Sequence, residues 1–165
     1  SSVKWIGGGP GAAFLWVDPE IIDQCQPDNV GWFSHENPFE FDIHHFRYAA
    51  DALRFWGGTP SVYAYAVAAN SLAHINAEGV DKIRDNNLVL SEMIIQAVPD
   101  SVLISPRLAT QRGGTLVLNF GPLQEQVVER LKASQVHFDT RAKGIRLSPH
   151  SCNAPVQIER VISCF

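Results

Sequence analysis

Residues 1–17 read SSVKWIGGGPGAAFLWV: one lysine, Lys4, then a glycine cluster from Gly7 to Gly11, then an apolar run from Phe14 to Val17. Two readings compete for this stretch. Gly7-Gly8-Gly9-Pro10-Gly11-Ala12 satisfies G-x-G-x-x-A, but a dinucleotide-binding turn follows a strand and opens a helix. Six residues precede Gly7 and a strand-like run comes after it, so that fold is set aside. A phosphate loop fails too, because the lysine precedes the glycines and no Lys-Ser or Lys-Thr pair closes them. What remains is a permissive turn beside a primary amine, with a strand expected at Phe14–Val17.

Beyond this stretch the chain stays loop-rich to about Phe55, punctuated by Pro19, Pro27, Gly31 and Pro38, and nothing in it builds a self-sufficient core. Ser61 is placed to cap a helix running from Val62 to about Asn76, ended by Gly79. A second helix follows to Val98, stopped by Pro99. Val80, Ile83, Leu90, Met93, Ile94 and Ala97 recur at helical spacing, while Lys82, Arg84, Asp85, Asn86 and Asn87 take the other side. The remainder predicts strands at Val102–Ile104, Thr115–Phe120, Val136–Asp139 and Ile145–Ser148, with helices at Leu123–Ala133 and Val156–Phe165. The class is α/β, divided into residues 1–79 and residues 80–165, the latter a connecting helix and a small α/β domain.

A length of 165 residues with 45% hydrophobic content suffices for a core, and a formal net charge of -4 gives no basic footprint for nucleic acid. No apolar stretch approaches the roughly 20 residues of a membrane span. Three cysteines, Cys25, Cys152 and Cys164, without C-x-x-C spacing, argue against a disulfide framework or zinc ribbon, so a cytoplasmic protein is expected. Ser1 stands where an initiator methionine would, and the chain is expected to be part of a longer protein.

Most obvious chemical motifs fail. His35-Glu36 begins an H-E-x-x-H pattern, but Phe39 holds the second histidine position and Pro38 breaks the required helix. His44 and His45 are adjacent and point apart on any regular element. His150 and Cys152 lack an orienting third group. No metal site is expected. Arg146 is more informative, because strand alternation in Gly144-Ile145-Arg146-Leu147-Ser148 sets it opposite apolar neighbours, where a planar guanidinium suits bidentate capture of a carboxylate or phosphate. Lys4, among glycines, can approach a cofactor and react with an aldehyde when its amine is deprotonated. A solvated arginine and a surface lysine are the plainer readings of these two residues.

Four segments occur in order: Lys4-Trp5-Ile6-Gly7-Gly8-Gly9-Pro10-Gly11, Gly31-Trp32-Phe33-Ser34-His35, Arg54-Phe55-Trp56-Gly57-Gly58-Thr59-Pro60-Ser61 and Gly144-Ile145-Arg146-Leu147-Ser148-Pro149. Together they resemble the C-terminal half of a class V aminotransferase-group enzyme, of fold type I and dependent on pyridoxal phosphate, most like kynureninase. The resemblance implies the end of a large cofactor-binding domain followed by a C-terminal small α/β domain. It implies that Lys4 carries the cofactor and shuttles a proton at the substrate's α-carbon. It implies that Trp32 and Thr59 help hold the cofactor phosphate from the neighbouring subunit of a homodimer, and that Arg146 clamps an amino acid's α-carboxylate. Val3 stands where kynureninases usually have tyrosine, and His150-Ser151-Cys152-Asn153 where they often have Leu-Tyr-Asn. The implied activity is side-chain cleavage of an amino acid, with transamination or C–S cleavage as alternatives. The N-terminal half would supply the rest of the site, so this chain alone is expected to be catalytically silent. A non-enzymatic module is the reading from another class.

Overall fold

The computed structural model describes all residues, Ser1–Phe165, and they divide into two compact units, Ser1–His74 and Ile75–Phe165. Each has its own packing logic.

The first unit is mostly loop, with single 3₁₀ turns at Ile22–Gln24, Trp32–Ser34 and Ala52–Phe55, and with most of helix α1 (Val62–Glu78), inside which the division falls. Its interior is small and unusually polar: Ser2, Ser34, His35 and Arg54 are buried beside Ala12, Ile22, Ala49 and Ala68. Such side chains are seldom buried unless hydrogen-bonded, so this unit is held by polar contacts to backbone more than by apolar area. The strand expected at Phe14–Val17 is not formed. No neighbouring strand pairs with it, and Phe14, Leu15 and Trp16 remain 61%, 60% and 78% exposed. A strand is a property of a pair, and apolar alternation cannot supply the second member.

The second unit has an apolar core. Helix α2 (Val80–Gln96) begins after Gly79, whose φ of +93° few side chains tolerate. It buries Leu90, Ile94 and Ile95. A three-stranded antiparallel sheet follows, ordered β1 (Leu116–Leu118), β3 (Gly144–Leu147), β2 (Asp139–Arg141). Leu116, Leu118, Ile145 and Leu147 alternate onto one face and join α2, Val127 and Leu131 of α3 (Gln124–Ala133), and Ile158 and Val161 of α4 (Pro155–Ile162). Pro155 opens α4 at a position where the missing N–H costs nothing, and Gln157 Oε1 accepts from the Ala154 N–H at 2.9 Å.

Three expectations are corrected here. Val102–Ile104 is no strand, only a bridge from Leu103 to Leu118. The strand expected at Val136–Asp139 begins only at Asp139, because Val136 closes the turn after α3 by donating to Leu131 O at 2.9 Å. Arg84 and Asn87 do not lie on a solvated face. Arg84 donates to the carbonyls of Ala109, Arg112 and Gly113, and Asn87, 2% exposed, donates to Gly114 O at 3.0 Å and Pro149 O at 2.8 Å.

Candidate functional site

Lys4 sits on a loop knotted by Ser2. The buried Ser2 hydroxyl lies 3.0 Å from both Gly9 O and Ala12 O, its N–H donates to Ala12 O, and its carbonyl accepts from the Gly8 N–H at 2.9 Å. Within this ring Gly7 N–H donates to Lys4 O at 2.8 Å, closing a turn at whose edge the lysine side chain is exposed and unpaired. Gly7, Gly9 and Gly11 have φ of +66°, +68° and +97°, the left-handed region that favours glycine. Gly8 is needed for another reason: a Cβ there would lie 2.9 Å from Ser2 Cβ and 3.0 Å from Ala68 Cα, so its bareness lets the loop touch α1. Ser71 adds a hydrogen bond to Gly7 O at 3.1 Å.

Trp32 and Thr59 belong to two segments that the structure joins. Ser34 Oγ accepts from Gly31 N–H at 3.0 Å and donates to Trp56 O at 2.9 Å. Gly31 lies so close to Gly57 that a Cβ on it would stand 1.7 Å from Gly57 O. Trp32 is 61% exposed, its ring edge-on to Phe41 at 6.3 Å, and Thr59 is exposed. Behind them Arg54, 4% exposed, donates to Ala49 O at 2.9 Å, Cys25 O at 3.0 Å and Ile22 O, and reaches Asp23 at 3.3 Å. Sequence reasoning had Arg54 and Ser34 inside its motifs and gave neither a role. Each is a fastener: one guanidinium gathers three loop carbonyls, one hydroxyl ties two motifs.

A groove of about 680 Å³ in the same unit is lined by Phe14, Leu15, Phe55, Trp56 and Tyr65, and by none of the four candidate residues. No three His, Cys, Asp or Glu side chains are grouped to hold a metal ion. Near the mid-loop histidines, the His44 N–H first, and then the His45 ring at 2.8 Å, hold the Asp42 carboxyl below its ordinary range.

Arg146 lies in the second unit, apart in the chain from the other three. On β3 it faces away from the core, with Val117 of β1 and Asp139 of β2 directly opposite it. Asp139 Oδ2 accepts from Arg146 Nη2 at 2.6 Å and lies 2.6 Å from Arg141 Nη2. One carboxylate oxygen thus joins two guanidinium groups, leaving Arg146 Nε and Nη1 without a partner in the chain. A further acceptor with two oxygens has donors available there. Asp139 and Arg141 were missed in the sequence because only strand pairing makes them neighbours of Arg146.

The chain is 34% identical, over 96% of its length, to an uncharacterized aminotransferase, YcbU, of Bacillus subtilis, and 30% identical over 88% of its length to a kynureninase of Bacillus mycoides. It spans 42% of the first and 36% of the second. Its fold is shared with a cysteine desulfurase of Thermococcus onnurineus, with a TM-score of 0.73, 17% identity, and coverage of 87% of this chain and 39% of that one. No family model matches. The likeness read from the four motifs therefore stands: over nearly its whole length this chain is a homologue of an aminotransferase and of kynureninases. No helix is long and apolar enough to cross a membrane.

Proposed function

We propose, on the premise that this chain is a homologue of the class V aminotransferase group, that it is the C-terminal part of a pyridoxal-phosphate enzyme acting on an amino acid. The activity proposed is side-chain cleavage of the kynureninase kind, and transamination or C–S cleavage is the alternative within the same chemistry. The observation that carries this reading is the Ser2–Ala12 loop: an exposed primary amine on a tied turn, in a chain similar to an aminotransferase over 96% of its length.

The residues present suit the cofactor. Lys4 is exposed with no ion-pair partner, and its loop is open at Gly7. Cβ positions built on Gly57 and Gly58 meet nothing within 4 Å, so phosphate oxygens can approach the backbone N–H groups beside the Thr59 hydroxyl. The cofactor, when bound, supplies an electron sink for charge developing at the substrate's α-carbon. Lys4 would hold the cofactor through its amine and would move the proton at the substrate's α-carbon. Trp32 and Thr59 hold the phosphate, reaching it from the neighbouring subunit of a homodimer. Arg146 takes the α-carboxylate through the donors Asp139 leaves unused, and so fixes which bond is turned toward cleavage. The remaining part of the site belongs to the N-terminal half, and the 165-residue chain alone is inactive. The whole protein works in the cytoplasm.

The test is chemical trapping. The chain is mixed with pyridoxal phosphate, reduced with borohydride, digested and weighed by mass spectrometry. The expected label is on the peptide containing Lys4 and is absent in Lys4→Ala. Equal labelling of Lys82, Lys132 and Lys143 would sink the assignment. In the complete protein, release of a side chain without net amino transfer separates cleavage from transamination.

A further inference from the structure

In the second unit, α4 and the segment after α3 line a half-open cavity of about 370 Å³. Core residues Leu147, Ile158 and Val161 form its apolar floor, and its rim is polar. The only ionisable side chains lining it are His137 and Arg160, both exposed and neither in an ion pair nor a side-chain hydrogen bond. No carboxylate lines it. Leu147 alternates to the face opposite Arg146, so this cavity is separate from the proposed substrate site and stands independently of it.

A second observation comes from the backbone. Gln135, on the cavity rim, is the one non-glycine residue of the chain with positive φ, +54°. It follows the last turn of α3, where glycine is the usual occupant because it alone adopts this conformation freely. Glutamine holds this position while lining the cavity.

We propose that this cavity binds a small carboxylic acid with an apolar body. The carboxylate is taken by Arg160, with His137 and the Gln135 amide as further donors, and no acidic side chain competes for them. The apolar part lies on Leu147, Ile158 and Val161. The volume is at the lower end of the ~300–1,000 Å³ of small-molecule sites, which selects ligands of a few carbons.

Hexanoate is a direct probe, read by backbone amide shifts of the isotopically labelled chain. Titration is expected to move the signals of Gln135, His137 and Leu147 to saturation, whereas hexan-1-ol and acetate at the same concentrations leave them in place. Arg160→Ala, at an exposed position that leaves the fold intact, is expected to weaken hexanoate binding by about tenfold or more. Gln135→Gly keeps the positive φ, stays folded and loses part of the affinity. The proposal is overturned by the absence of a saturable shift, by hexan-1-ol or acetate matching hexanoate, or by undiminished binding in Arg160→Ala.

Discussion

Asp139 holds Arg146 through a single oxygen, Oδ2 to Nη2 at 2.6 Å, and shares that oxygen with Arg141. Both partners of the Asp139–Arg146 pair are about one-third exposed, 37% and 34% of their side chains. A pair so placed is screened, and its strength is that of a surface pair. Asp139→Asn is therefore expected to lower stability by under ~1 kcal/mol in urea unfolding. A loss of three or more would mean that the pair behaves as a buried one.

Asn87 bears more weight than that charged pair. Its buried amide donates to Gly114 O and Pro149 O and accepts from Arg84 Nη1 at 2.9 Å, so it fixes the segments before β1 and after β3. Asn87→Ala leaves the Gly114 and Pro149 carbonyls without this donor and is expected to cost about 2 kcal/mol, visible as a lower urea midpoint with an unchanged slope. An unchanged midpoint would show that water replaces the amide.

The junction of the two motifs in the first unit gives a contrast between neighbouring glycines. Gly31→Ala places a methyl 1.7 Å from a backbone oxygen, whereas a Cβ on Gly57 meets nothing within 4 Å. Near-ultraviolet circular dichroism of Trp32 and Trp56 is expected to change strongly in the first variant and hardly in Gly57→Ala. Equal spectra for the two would refute the close approach.

Asp42 titrates in a direction set by its neighbours. Its carboxyl pKa lies below 3.8 in the folded chain, owing first to the His44 N–H and second to the His45 ring. A depressed folded value contributes stability that is present above the unfolded pKa and lost as pH falls through the folded one. Carbon-detected titration should place the Asp42 midpoint under 3.8. His45→Ala should raise the midpoint yet leave it below the ordinary carboxylate value, because the backbone N–H of His44 is the larger cause.

How far the sequence could be read follows from the range of each interaction. α1, α2, α3 and α4 were legible because helix periodicity and the stops at Gly79 and Pro99 are local. The sheet was less so: Asp139–Arg141 forms a strand only because β3 lies beside it, and Phe14–Val17 has the pattern without the neighbour. Arg84 and Asn87 were misplaced for a related reason, since a polar helix face looks the same whether it meets water or the carbonyls of residues 109–114. Lys4 and Arg146 were singled out as candidates through motif likeness, but Ser2, Ser34 and Asp139, which tie or contact the candidate residues, were not. Their partners lie seven to 22 residues away and no spacing rule relates them.

The sheet ends at β2, three residues long, with Asp139 and Arg141 at its two ends. Its outer margin carries backbone groups that another molecule's strand could otherwise extend. Brevity and charge make it a poor template for such growth. The acid and base that frame Arg146 thus also guard the second unit against polymerising through its sheet.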